Sequence, residues 1–110
     1  MNRWNIPDWL EREAIKRDTH CVYCEVEFIP SDQTRKAKPS GEHIVNDERI
    51  VTPANIARCC MSCNASKGVR QPSAWLESGN CKKRNITRDT VAPVVKIALD
   101  QPPTLADSIA

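Results

Sequence analysis

Two cysteine pairs, Cys21-x-x-Cys24 and Cys60-x-x-Cys63, stand 35 residues apart in a chain of 110. Four thiolates at that spacing can close a tetrahedral zinc site, and such a site stabilises small chains that lack a large core. Aromatic residues make up only 5% of the sequence, so the core is thin and another stabiliser is needed. No apolar run approaches the ~20 residues that span a bilayer. The opening "MNRWNIPDWL" also lacks the apolar stretch of a secretory signal. The expected setting is therefore the cytoplasm, without a membrane partner, where paired cysteines hold metal more often than each other.

Two other readings of the cysteines stand beside the zinc site. A thiol-redox pair needs an exposed, low-pKa CxxC near a βαβ pattern, and that pattern is absent. Unrelated buried thiols are the second. Cys59 adds an ambiguity, because Cys59 and Cys63 would make a CxxxC pair. Cys60 is preferred, since neighbouring strand residues face opposite ways and CxxC is the commoner knuckle. Cys81 reads as a buried or free thiol. His20, next to Cys21, is a ligand only in principle and reads as exposed.

Along the chain, "NIPDWLEREAIKRD" predicts a helix: Pro7 suits a first helical position, Asp8 and Glu11 favour the positive end, and Ile6, Leu10 and Ala14 share one face. "CVYCEVEFI" predicts a tight turn and then a short strand through Val26 and Phe28. A polar loop with Pro30, Pro39 and Gly41 follows. "EHIV" and "IVTPANIARCC" read as two strands joined by "NDER", the second limited by Pro53 to an edge or to a start after Ala54. "MSCNASKG" can form one or two helical turns closed by Gly68. "SAWLES" predicts a short helix capped by Ser73, and a last helix starts near Thr90, takes Pro93 in its first turn and runs to Leu99. "DQPPTLADSIA" reads as a frayed tail.

Net charge is only +2, but its distribution is uneven. Residues 58–88 carry seven Lys or Arg against the single acid Glu77. That block is either a phosphate-facing surface or a solvated basic face.

The remaining histidine, His43 in "GEHIVND", has informative company. Glu42 precedes it, Asn55 lies on the returning strand, and Asn64 follows the second knuckle at a helix start. If the hairpin folds back and the helix packs across it, His43, Asn55 and Asn64 converge on one small site, and the knuckle fixes where Asn64 points.

"EHIV…NIARCCMSCNASKG", preceded by "CVYC", resembles the zinc-containing HNH endonucleases, whose usual form is near "CxxC…DHIxP…NLxxxCxxCNxxKG". The resemblance covers about residues 21–68. It implies an α+β fold with a small ββα-metal (His-Me finger) core stapled by a four-cysteine zinc site; the flanking helices, read from the sequence pattern, lie outside the resemblance. The domain plan is then an N-terminal helix over 1–20, the nuclease core over 21–70, packing helices over 71–100 and a disordered tail over 101–110.

It further implies a DNA endonuclease or nickase. His43 would be the general base that deprotonates water. Glu42 and Asn64 would hold a catalytic Mg²⁺ or Mn²⁺, and Asn55 would support the hairpin loop and orient the histidine. Cys21, Cys24, Cys60 and Cys63 would hold structural zinc, and Lys67 would lie near the phosphate. The chemistry suits these residues: a histidine of near-neutral pKa takes a proton, hard oxygen ligands suit Mg²⁺, and thiolates suit zinc. The sequence departs from the family at Glu42, where Asp is usual, and at Asn46, where Pro is usual; Asp47 and Glu48 beside it either lend a carboxylate or simply form a charged turn.

Candidate phosphate contacts are Lys67, Arg70, Lys82, Lys83 and Arg84, with Arg35, Lys36 and Lys38 in the loop before the hairpin. No helix start clusters base-reading residues, so the expected partner is double-stranded DNA with weak sequence preference, or specificity supplied by a homodimer or larger partner. Trp75 and Leu76 read as core. The alternative function is a zinc-stabilised module that binds nucleic acid or protein without catalysis.

Overall fold

Strand β1 (Pro39–His43) pairs antiparallel with β2 (Ile56–Cys60), with Gly41 opposite Arg58 and His43 opposite Ile56. The structure is a computed structural model that describes residues 6–29, 31 and 34–108. Its architecture is α+β, with this two-stranded sheet and several short helices. β2 passes into helix α2 (Met61–Lys67) without an intervening residue, and α2 packs on both strands. Cys60 is the hinge between them. Its extended backbone ends the strand, and its Sγ accepts the Cys63 N–H as a helix cap. Gly68 ends α2 at φ 54°, a conformation that suits a residue without a Cβ.

The N-terminal helix α1 (Asp8–Arg17) carries Asp8 and Glu11 at its positive end and Lys16 and Arg17 at its negative end. Its buried face, Leu10 and Ala14, joins Ile6, Val51 and Ile56 in one apolar cluster. The helix end is tied to β2 by polar groups. The Arg17 guanidinium forks onto Asp18 and also donates to the Pro53 and Ile56 carbonyls, while Asp18 accepts the Arg58 N–H. A larger core gathers Val22, Tyr23, Ile44, Trp75, Val91 and Val95. It is covered by α3 (Pro72–Leu76), α4 (Gly79–Lys83) and α5 (Pro93–Asp100).

Several local expectations shift. Residues 26–28 form no strand, only a single bridge between His20 and Glu27. The Cys21–Val26 hydrogen bond closes the turn, and the described residues offer Val26 and Phe28 no further strand to pair with. β1 begins at Pro39, inside the expected loop, and stops at His43. Pro is compatible with that first strand position, and Ile44 and Val45 are drawn off by Asn55. β2 starts after Ala54, as Pro53 requires. Helix α3 has Gln71 at its cap and Pro72 as its first residue, so Ser73 does not cap it. Helix α4 was not expected; the Ser78 hydroxyl caps it by accepting the Cys81 N–H.

The C-terminal segment departs from the expected tail over residues 101–108. A 3-10 turn at Leu105–Asp107 is closed by a reciprocal Thr104–Asp107 cap. Ser108 Oγ then accepts the Val51 N–H and donates to the Arg49 carbonyl. Residues 1–5 of the expected N-terminal segment and 109–110 of the tail lie outside the described residues, as does Pro30.

Candidate metal centre and adjoining cleft

The Sγ atoms of Cys21, Cys24, Cys60 and Cys63 all lie within 4.8 Å of one another. Four sulfurs at ~2.3 Å from a central ion stand about 3.8 Å apart, which is the Cys24–Cys60 separation. This donor set could hold a metal ion such as zinc. Each pair is a knuckle whose backbone points at sulfur: the Tyr23 and Cys24 N–H groups reach Cys21 Sγ, and the Cys63 N–H reaches Cys60 Sγ. Arg84 donates to Cys63 Sγ at 3.3 Å. Hydrogen bonds from Cys21, Cys24 and Cys63 hold the Cys60 thiol far below its ordinary pKa, and that from Cys21 lowers Cys24 to about 7. Cys21 and Cys63 are pushed the other way, above the ordinary thiol range, by hydrogen bonds to their neighbours and by burial, so the four crowded thiols share protons, and a bound cation would be needed to ionise them all. Cys59 lies outside this sulfur set, fully buried, and burial raises its pKa. His20 is exposed beside Thr19, and Cys81 is buried.

A cleft of about 500 Å³ opens along the end of β1 and the loop after it. Glu42, His43 and Asn64 all line it, with Asp47, Glu48 and Arg49 on the loop side. Asn55 does not. It is fully buried inside the 45–55 loop, where Oδ1 accepts the Val45 N–H and Nδ2 donates to the Val45 and Ile50 carbonyls. Of the three residues expected to converge, His43 and Asn64 line this cleft, with Glu42 beside them, and Asn55 instead brackets the segment that follows the histidine.

Glu42 is held firmly. Its Oε2 accepts the Tyr23 hydroxyl at 2.8 Å and pairs with Lys67 Nζ at 2.8 Å. Burial raises its pKa, and the Lys67 charge, the Tyr23 hydroxyl and a His43 backbone hydrogen bond oppose that shift. Lys67 is 1% exposed and also donates to the His43 carbonyl. It therefore faces inward, contrary to the expected phosphate contact. A lysine fully withdrawn from water needs such a carboxylate partner. His43 is nearly buried, which lowers its pKa; a Glu48 backbone hydrogen bond and the Glu48 carboxylate oppose the shift. Asn64 Nδ2 donates to Ser40 Oγ.

Tyr23 gives a sequence signal only through its place, because a tyrosine inside a cysteine knuckle is drawn into the core and its hydroxyl then needs a partner. Trp75 is core, edge-on to Tyr23 at 4.9 Å with its indole N–H on Ser66.

Of the other basic candidates, Arg70, Lys82 and Lys83 are exposed, as are Arg35, Lys36 and Lys38. Arg84 is half-buried against Cys63 and Asn80. With Arg35 and Lys36 it lines a shallow groove on the cluster side.

Fold and site together define a small α+β domain with a four-cysteine cluster that could hold metal beside a polar cleft. No family model matches the chain, and no solved structure matches it. The Fanconi anemia group J protein homolog of Gallus gallus is 29% identical over 89 residues, a match that covers 78% of this chain and 7% of that protein. The similarity spans one small domain's length of a far longer relative. Among the described residues no helix is long and apolar enough to cross a membrane.

Proposed function

We propose that this chain is a metal-dependent DNA endonuclease or nickase of the HNH type, built on a ββα-metal core with a structural zinc at the four cysteines. The observation that carries this reading is the convergence of Glu42, His43 and Asn64 on one cleft beside the cysteine cluster. Glu42 and Asn64 offer the oxygen donors that suit Mg²⁺ or Mn²⁺. Such an ion, when bound, supplies charge that stabilises the phosphoryl transition state and the leaving 3′ oxygen.

The chain's own residues do the rest. His43, kept neutral by burial, takes the proton of the attacking water. The Glu48 backbone orients its ring, and Asn55 fixes the loop that carries Glu48. Arg70, Lys82 and Lys83 approach the phosphates of duplex DNA with little base preference, and cutting both strands needs a homodimer or two successive nicks. The cytoplasm is the matching compartment.

One observation favours a second reading, a zinc-stapled module that binds nucleic acid or protein without cutting. Glu42 already has a cation, Lys67, on its carboxylate. A supercoiled-plasmid assay separates the two. Zinc-loaded protein is incubated with Mg²⁺, with Mn²⁺ and with neither, beside His43→Ala. Open-circular or linear product that needs the divalent ion and His43 supports the nuclease. Intact plasmid under both ions leaves the binding module.

A further inference from the structure

Glu42 receives one donor from inside the first cysteine knuckle and one from the far end of the helix that the second knuckle starts. Tyr23 sits between Cys21 and Cys24, its N–H on Cys21 Sγ and its hydroxyl on Glu42 Oε2. Lys67 closes the helix that Cys60 caps, and its ammonium lies on the same oxygen. Tyr23 has no exposed surface, and Trp75 holds its ring edge-on. A single rigid side chain with two torsions therefore spans from the sulfur cluster to the wall of the cleft.

We propose that Tyr23 is a positioning residue that couples the cluster to the cleft, so that metal at the four cysteines fixes the Glu42 carboxylate and strengthens divalent-cation binding beside it. This rests on the reading of the cleft as a divalent-cation site. The physical argument concerns freedom of movement. Cluster metal locks the 21–24 turn, and the turn locks the Tyr23 backbone. The packed ring transmits that order to its hydroxyl, so Glu42 meets an incoming ion already aimed. Without cluster metal, the Tyr23 turn loosens, and Glu42 loses the neutral hydroxyl that aims it. Partners that orient a ligating carboxylate change metal affinity about 10- to 100-fold when removed.

The test is Mn²⁺ binding to the zinc-loaded full chain, read from the electron paramagnetic resonance of free Mn²⁺, with zinc content measured in parallel. Tyr23→Phe is expected to keep its zinc and weaken Mn²⁺ binding about 10- to 100-fold. In a Glu42→Gln background the same change is expected to add nothing, because Tyr23 acts through Glu42. Unchanged Mn²⁺ affinity in Tyr23→Phe, with Glu42→Gln weakened, overturns the coupling and leaves the cleft reading standing. Absence of Mn²⁺ binding in the wild type, or binding indifferent to Glu42→Gln, overturns both. Should Tyr23→Phe lose zinc, the wild type decides alone. Coupling is reciprocal in binding free energy, so saturating Mg²⁺ must tighten zinc binding severalfold in equilibrium competition with a chromophoric chelator. Equal zinc affinities with and without Mg²⁺ overturn the proposal.

Discussion

At the cysteine cluster, the donors arrive from two short turns whose own backbone N–H groups point at the sulfurs. At the cleft, the groups arrive from a strand end, a loop and a helix, and most are held by residues far away in sequence. The first arrangement is nearly local, needing only two turns brought together. The second depends on packing at every step. The cluster should therefore behave as a determinant of folding, and the cleft as a consequence of it.

The largest expected effect breaks the cluster. Cys60→Ser removes one metal donor but keeps a side chain that caps helices well, so a loss of fold reports metal rather than capping. Structural zinc can supply ~10 kcal/mol or more of folding energy. The expected outcome is loss of bound zinc and of a cooperative thermal transition, read by metal analysis and circular dichroism. A zinc-free variant with an unchanged melt would show that the apolar core suffices.

His43→Ala comes next and tests the cleft without the cluster. Loss of a general base is expected to slow nicking by ~100-fold or more, with zinc retained. The pH dependence sharpens it. Burial depresses the His43 pKa below 6.5, so the base form persists into mild acid. The nicking rate should fall on the acid side only once pH drops below that depressed value. The stability sign agrees. Unfolded histidine gains its proton near 6.5, whereas folded His43 gains it lower. Its contribution is fully present above that pH and is lost as pH falls through the folded pKa. His43→Ala should flatten this acid-side slope in melts between about pH 4 and 7. An identical slope would place the titration elsewhere.

Asn55→Ala tests the loop. Three side-chain hydrogen bonds disappear from a fully buried position, at about 1 kcal/mol each. A loss of about 3 kcal/mol is expected, seen as a lower urea midpoint at unchanged slope. Nicking should fall further than in proportion to the folded fraction, because Glu48 loses its support. A drop in stability alone would restrict Asn55 to the loop's own structure.

The same contrast explains what the sequence made legible. The four cysteines could be chosen by spacing and strand alternation, and the sulfur group includes Cys60 and not Cys59, as the CxxC spacing favours. His43 and Asn64 could be grouped because the hairpin and the knuckle-bound helix start bring them together. Lys67 could not be read correctly. A lysine in a basic block looks solvent-facing until one sees that its helix turns it toward Glu42. The strand expected at residues 26–28 failed for a related reason, since alternation marks an extended segment but not the presence of a partner. Helix α4 was missed because "GNCKK" has little apolar periodicity and owes its start to the Ser78 hydroxyl.

The smallest predicted effect lies at the knuckle itself. Glu25 follows Cys24 in the left-handed region, at φ 68°, with its N–H on the Cys21 carbonyl. An L-residue pays roughly 1–2 kcal/mol for that conformation, whereas glycine loses roughly 0.5–1 kcal/mol in chain entropy instead. The Glu25 side chain is exposed, so Glu25→Gly should stabilise by about 0.5 kcal/mol in urea unfolding of the zinc-loaded chain. Asn85 is the control. It too has positive φ, 58°, but asparagine tolerates this region, so Asn85→Gly should be close to neutral. A gain at 25 without one at 85 would locate the strain in the knuckle, where metal ligation imposes a backbone that the sequence alone disfavours. Equal effects at both positions would mean that the turn after Cys24 is an ordinary one, and that the cluster shapes its own backbone less than its tight geometry implies.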